Sequence, residues 1–183
     1  AASDVYKRQI PTLERIFAEV PLLIATHCED TPLINKNLAA FRQRYGEAIP
    51  PEAHPLIRSR EACFKSSSLA ATLARKYKSR LHILHLSTAE ETKLPDSGIR
   101  TQKQITGEVC VHHLWFNDQA YTSKGNLVKW NPAIKTEQDR LSLLKAVKEG
   151  RIDIIATDHA PHLLSEKNGP YTQAASGGPM IQH

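Results

Sequence analysis

Histidine and aspartate side chains stand at three points in this sequence where a polar run directly follows an apolar one. His27 opens the run HCED, His85 precedes the run LST, and Asp158 opens the run DHAPH. Imidazole and carboxylate together form the donor set that holds catalytic zinc while leaving a position for water. His27, His85 and Asp158 are therefore candidate ligands for a zinc-like ion that activates water.

The apolar runs beside these polar groups indicate the elements that would position them. Each run is rich in Ile, Leu and Val with little alternation, which is typical of parallel strands buried on both faces. Helical candidates lie between the runs. Strands are predicted at 21–26, 80–86, 108–114 and 152–157, and helices at 11–19, 33–45, 59–77 and 137–148.

The alternation of strand and helix is compatible with a doubly wound sheet or a (β/α)8 barrel. No glycine-rich phosphate-binding turn follows any of the strands, which argues against the doubly wound nucleotide-binding sheet. Barrel enzymes carry their catalytic groups at the carboxyl ends of strands, where the candidate ligands stand here. We predict an α/β fold, a partial (β/α)8 TIM barrel of the metal-dependent hydrolase type. A whole barrel needs roughly 250 residues, so four βα units in 183 residues correspond to about half of one.

Other histidines compete for the same roles. His82 and His85 are three residues apart and would point to opposite faces of a strand, so His85 is the predicted ligand and His82 the structural residue. His112 and His113 form a pair within the third predicted strand. His159 would point away from Asp158 in an extended strand, which predicts packing or a supporting hydrogen bond.

The amino-acid composition argues against three classes of protein: membrane-spanning, nucleic-acid-binding and disulfide-rich. The hydrophobic share is 40%, the charged share 23%, and no apolar stretch is long enough to cross a bilayer. The net charge of +5 comes from basic residues interspersed with acidic ones, so we expect no nucleic-acid partner. Cys28, Cys63 and Cys110 are widely spaced and lack a CxxC pair, which predicts neither a disulfide framework nor a zinc knuckle and favours a cytoplasmic location.

Five motifs together resemble those of the dihydroorotases, cyclic amidohydrolases of the amidohydrolase superfamily. The most specific is ATDHAPH, whereas a histidine after a strand is shared with hydantoinases and allantoinases. The motifs follow the family order, and the resemblance covers about residues 10–183. They are HCED at 27–30, LHLST at 84–88, KWNP at 129–132, ATDHAPH at 156–162 and SGGP at 176–179.

The resemblance implies a role for each candidate ligand. His27 and His85 would be the metal ligands of barrel strands five and six, and Asp158 the carboxylate of strand eight, which binds metal and acts catalytically as a proton shuttle. The His112–His113 pair would assist near the pocket without a metal bond. The implied cofactor is Zn²⁺, binuclear in the complete family site.

The resemblance also implies substrate contacts. Asn131 of the KWNP motif and His162 of the DHAPH motif would contact the substrate, and Gly177 and Gly178 would present backbone groups to its ring. The implied reaction is the reversible hydrolysis of (S)-dihydroorotate to N-carbamoyl-L-aspartate in de novo pyrimidine biosynthesis. Implied partners are this small molecule, a homodimer mate and aspartate transcarbamoylase, with no membrane involved.

The family features expected from strands one to four are not found in this sequence. No His-x-His pair occurs in it, so we expect the carboxyl-terminal half of a barrel, strands five to eight, unstable and inactive alone. The run DVYKRQ resembles the translation of a sequencing-library adapter. Residues 1–9 are therefore expected to be an artefact, and 10–183 the half barrel. Alternative functions are a hydantoinase or allantoinase, a non-catalytic dihydroorotase-like subunit, and a basic binding module.

Overall fold

The computed structural model describes residues 2–183, with side chains from Ile10 onward. The predicted artefact at 1–9 therefore lies outside the residues whose side chains are described. In chain order, the strands are β1 (Ile24–Thr26), β2 (Leu81–Ile83), β3 (Ile105–Cys110) and β4 (Ile154–Ala156). The helices are α1 (Ala2–Glu19), α2 (Thr31–Tyr45), α3 (His54–Ile57), α4 (Arg60–Tyr77), α5 (Val111–Trp115), α6 (Ala120–Lys124), α7 (Glu137–Lys148) and α8 (Leu164–Lys167).

The four strands form one parallel sheet in the order β1-β2-β3-β4. Leu81 of β2 pairs with Ile105 of β3, whereas Ile154 of β4 pairs with Glu108, three residues further along β3. A stagger between neighbouring strands accompanies the tilt of the strands in a barrel. The predicted fold is confirmed: the sheet is part of a (β/α)8 barrel.

The third strand lies earlier in the chain than the sequence predicted. The expected strand was 108–114, but β3 is Ile105–Cys110 and the next five residues form helix α5. The apolar run is continuous across this junction, so periodicity alone could not locate the end of the strand. His112 and His113 therefore lie on α5 and not in the sheet.

The main hydrophobic core lies between the sheet and helices α1, α4 and α7. Leu81, Ile83 and Ile105 of the sheet are fully buried there. Phe17 of α1 and Leu143 of α7 pack into the same cluster. Burial of a leucine or isoleucine side chain is worth about 1.5–3 kcal/mol, so these contacts hold the helices against the sheet.

The two outer strands are less covered than the inner ones. Ile154 and Ile155 of β4 are 40% and 55% exposed, and Leu22, just before β1, is 72% exposed. Cys28, Cys63 and Cys110 are free thiols, and all three are buried. Within residues 2–183, the helices are too short or too polar to span a bilayer.

Candidate active site

The parallel sheet brings three predicted ligands to one edge. His27 follows the last residue of β1, His85 lies two residues after β2, and Asp158 two residues after β4. Parallel strands present all their carboxyl ends at the same edge of the sheet. Two of the residues have a left-handed backbone, with φ of 35° at His85 and 44° at Asp158. Such conformations cost of order 1–3 kcal/mol each and are concentrated at functional sites.

His27 and His85 approach each other directly. Nδ1 of His27 lies 2.9 Å from Nε2 of His85, and the rings meet edge to face with centroids 4.7 Å apart. The side chain of His85 is buried, and its Nδ1 has no hydrogen-bond partner. Burial lowers the pKa of His85, and the neighbouring His27 lowers it further, which favours the neutral ring. A neutral imidazole is the form that binds a metal ion.

Glu29 and Arg58 fix the orientation of His27. Nε2 of His27 donates to Oε2 of Glu29 at 3.0 Å, and Arg58 pairs with the same oxygen. Burial alone would raise the pKa of Glu29, but the bond from His27 and the charge of Arg58 outweigh it, and the pKa is lowered. With its proton on Nε2, His27 directs the lone pair of Nδ1 towards His85. A carboxylate in this supporting position is common behind metal-binding histidines.

Asp158 stands apart from the two histidines. Its side chain is exposed beside the uncovered strand β4, although its charge is close enough to raise the pKa of His85 against the larger effect of burial. Within the described part of the chain, one group of three His, Cys or acidic residues has its donor atoms within 4.8 Å, and it consists of Cys110, His112 and His113. The carboxylate of Asp158 therefore does not converge with His27 and His85 in this structure.

His82 occupies a different environment from His85. Its Nδ1 lies 2.8 Å from Oγ1 of Thr106, and its Nε2 donates to Glu108 at 3.2 Å. The other oxygen of Glu108 accepts from the backbone N–H of His85 at 3.4 Å. Glu108 thus links the structural histidine to the strained turn at His85. No motif in the sequence indicates this role.

The loop that carries Asn131 is held in place by another buried histidine, His54. Nε2 of His54 donates to the carbonyl of Trp130 at 2.7 Å, and its Nδ1 lies 2.8 Å from the hydroxyl of Tyr171. Burial lowers the pKa of His54 to about 3. Asn131 precedes a cis-proline, and its Oδ1 is buried without a partner. An unsatisfied amide oxygen is available to a ligand.

His162, Gly177 and Gly178 are brought together by packing that tolerates no side chain at either glycine. A Cβ on Gly177, where φ is 131°, would lie 2.7 Å from the carbonyl oxygen of Ala160. A Cβ on Gly178 would lie 2.9 Å from the indole of Trp130. His162 donates from Nε2 to the carbonyl of Ser176 at 3.1 Å. The DHAPH and SGGP motifs therefore form one unit.

These residues line an 850 Å³ cavity that is separate from the histidine pair. Its walls include His162, Gly177, Gly178 and the buried Lys167. Nζ of Lys167 donates to the carbonyl of Gly177 at 2.7 Å, and burial lowers the pKa of this lysine to about 8. The lining of the cavity does not include the three predicted metal ligands, nor does it include Asn131. The predicted metal ligands and most of the predicted substrate contacts thus form two neighbouring groups.

His159 serves the second group. Its Nδ1 accepts hydrogen bonds from the backbone N–H groups of Met180 and Ile181, both at 3.1 Å. The strand has already ended at this point, because Asp158 has a left-handed backbone. His159 therefore ties the DHAPH motif to the segment after SGGP.

Comparison with known proteins identifies the relatives of the chain. No family model matches it. It is 34% identical over 160 residues to a dihydroorotase of Macrococcus caseolyticus, a match that covers 87% of this chain and 36% of that protein. It is 35% identical over 158 residues to a dihydroorotase of Caldicellulosiruptor saccharolyticus, with 84% and 35% covered. The chain thus spans about a third of the length of these relatives.

Solved structures with a similar fold are also cyclic amidohydrolases. L-hydantoinase from Arthrobacter aurescens matches with a TM-score of 0.83 at 19% identity, covering 92% of this chain and 38% of that one. Dihydroorotase from Saccharomyces cerevisiae in complex with 5-fluoroorotic acid matches with a TM-score of 0.57 at 18% identity, covering 64% and 34%. At 18–19% identity, these structures show only that the fold is similar. The family is shown by the sequence relatives at 34–35% identity. The chain belongs to the dihydroorotase family of cyclic amidohydrolases.

Proposed function

We propose that the chain supplies part of the metal and substrate site of a dihydroorotase. The reaction would be the reversible hydrolysis of (S)-dihydroorotate to N-carbamoyl-L-aspartate, in de novo pyrimidine biosynthesis. The observation that supports this most is the 2.9 Å approach of His27 and His85 at the carboxyl edge of the sheet, in a chain whose sequence relatives are dihydroorotases.

The residues fit a zinc ion. His27 directs an unprotonated ring nitrogen towards His85, and His85 has a buried nitrogen without a partner. Imidazole nitrogens are common ligands of Zn²⁺. His27 and His85 would hold the ion, and Asp158 would complete the set after its exposed side chain turns towards them. When bound, zinc polarises a carbonyl and lowers the pKa of water to about 7.

The chain's own groups have separate tasks in the proposed reaction. Glu29 keeps the proton of His27 on Nε2, away from the reacting atoms. Asp158, as the shuttle, takes a proton from the attacking water and delivers it to the ring nitrogen as the amide bond breaks. Asn131 and His162 would together bind the carboxylate and the imide of the substrate. The backbone groups of Gly177 and Gly178 would form hydrogen bonds with its ring.

A hydantoinase is the second candidate, because hydantoinases are among the solved structures with the same fold. The sequence relatives at 34–35% identity favour dihydroorotase. A non-catalytic subunit is disfavoured by the retention of His27, His85 and Asp158. A homodimer and an association with aspartate transcarbamoylase belong to the proposal, and light scattering of the chain with and without the transcarbamoylase tests them.

Ligand-observed NMR of the zinc-supplemented chain tests the substrate class. We expect dihydroorotate and N-carbamoyl-L-aspartate to bind more tightly than hydantoin, and the Asn131→Ala and His162→Ala variants to lose this preference. Gln173→Ala, at an exposed position, is the matched control and should retain it. Tighter binding of hydantoin would assign the site to the hydantoinases. We also expect no dihydroorotate hydrolysis above the zinc-only background, because the chain spans about a third of its relatives' length.

A further inference from the structure

A second group of side chains whose types can bind a metal ion lies where β3 passes into α5. Cys110 ends the strand, and His112 and His113 lie in the short helix that follows. One donor atom from each residue lies within 4.8 Å of the other two. Cys110 and His112 are 0% exposed and His113 is 3% exposed. The cluster shares no residue with the proposed site at His27, His85 and Asp158.

The hydrogen bonds of His113 leave a lone pair free inside this cluster. Its Nε2 donates to the carbonyl of Pro132 at 3.0 Å, which places the ring proton on that nitrogen. The remaining Nδ1 is buried without a partner. A backbone carbonyl that fixes the tautomer in this way is the usual support behind a metal-binding histidine.

His112 is more unusual, because neither of its ring nitrogens has a hydrogen-bond partner. The ring stacks on Trp130, with centroids 4.5 Å apart and planes 10° apart. It also lies 4.4 Å, centroid to centroid, from the ring of His113. A buried polar group without a hydrogen-bond partner costs about 1–3 kcal/mol. A ligand bound to a ring nitrogen of His112 would reduce this cost.

We propose that Cys110, His112 and His113 form a second metal site, for a thiophilic cation of the zinc class. One thiolate and two imidazoles are a donor set that selects such ions over Mg²⁺ or Ca²⁺. On binding, the Cys110 thiol loses its proton to solvent as the sulfur–metal bond forms. The site joins the end of β3 to the loop of Trp130 and Pro132.

The geometry needs only a small rearrangement. Tetrahedral zinc has bonds of about 2.3 Å to sulfur and about 2.0 Å to nitrogen, which places the donor atoms roughly 3.3–3.6 Å apart. In this structure the donor atoms are at most 4.8 Å apart. A shift of about 1 Å, within reach of side-chain rotation, would bring them to the distances that zinc requires. The two imidazoles and one thiolate leave the fourth position for water or a further ligand.

Titration of the whole chain with Co²⁺ tests the proposal through a signal that depends on sulfur. A thiolate bound to Co²⁺ gives a charge-transfer band in the near ultraviolet, which ligands at His27, His85 and Asp158 cannot produce. We expect this band in the unsubstituted chain, its loss in Cys110→Ser, and at least a tenfold weaker affinity in His112→Ala and His113→Ala. The matched controls Cys28→Ser and Cys63→Ser, which replace the other two buried thiols, should keep the band.

Three results would overturn the proposal: no band in the unsubstituted chain, a band that survives in Cys110→Ser, or a band that disappears in Cys28→Ser instead. X-ray absorption at the zinc edge gives a second measurement that does not depend on how Cys110→Ser folds. The His27→Ala/His85→Ala chain loaded with one equivalent of Zn²⁺ should show sulfur at about 2.3 Å. A shell of nitrogen and oxygen alone would contradict the site.

Discussion

At the residue scale, the sequence motifs located the polar groups but not their supports. His27 and His85 were predicted from their positions after apolar runs, and the structure places them 2.9 Å apart. The contacts of Arg58 with Glu29 and of His82 with Glu108 could not be predicted, because the partners are 29 and 26 positions apart in the sequence. His54 lay in no motif, yet it fixes the Trp130 carbonyl from a distance of 76 positions in sequence.

Because His54 is buried, we expect the stability of the folded chain to depend on pH. Its pKa is lowered by burial from 6.5 to about 3 in the folded chain. The unfolded chain therefore binds one more proton between these values, and folding stability is present above pH 6.5 and is lost as the pH falls towards 3. Removing the titrating group should remove this slope.

We expect the free energy of unfolding of His54→Gln to depend less on pH than that of the unsubstituted chain. The difference in slope between pH 6 and pH 4 should be about 1.4 kcal/mol per pH unit, which corresponds to one proton. Urea denaturation at a series of pH values measures it. His183→Gln, at an exposed position, should leave the slope unchanged, and an unchanged slope in His54→Gln would refute the account.

At the element scale, helices were predicted better than strands because their ends have local chemical signals. Helix α7 was predicted at 137–148 and observed as Glu137–Lys148. Thr136 caps it by accepting from the Asp139 backbone, and Asp139 accepts from the Thr136 backbone in return. The end of β3 has no comparable signal, since the apolar run continues into α5, and the prediction there was wrong.

The cap of α7 should contribute measurably to stability. Thr136→Ala removes the hydroxyl that accepts from Asp139, and we expect the free energy of unfolding to fall by about 1 kcal/mol. Ser142→Ala, within the same helix, is the control. Its hydroxyl bonds only to the carbonyl one turn earlier, so this change should be neutral or slightly stabilising. Chemical denaturation that showed equal effects for the two variants would exclude a specific role for the cap.

At the scale of the whole molecule, the sheet is covered in its middle and uncovered at β1 and β4. Each of these strands pairs with one neighbour among the described residues. Unpaired strand edges and exposed apolar side chains promote association. The four βα units in the sequence predicted half of a barrel, and half of a barrel has two outer strands. The sequence could not predict that Asp158, beside the uncovered β4, would stand apart from the histidines.

We expect the chain to self-associate through β4 as its concentration rises. Ile155→Ser removes a 55% exposed side chain from this strand and should shift association to higher concentration by several-fold. Leu141→Ser removes a side chain of similar exposure, 53%, from α7 and should have little effect. Static light scattering over a concentration series measures both. Equal shifts would show that association depends on general hydrophobicity and not on the strand.

Zinc affinity tests most directly whether His27 and His85 form the metal-binding part of a dihydroorotase site. Isothermal titration of the chain in the Cys110→Ser background isolates this site from the second cluster. We predict that the chain binds one equivalent of zinc, with an affinity at least tenfold weaker in His27→Ala and in His85→Ala. His183→Gln, which replaces an exposed histidine, is the control and should leave the affinity unchanged. Zinc binding of equal strength in the His27→Ala and His85→Ala variants would contradict the account.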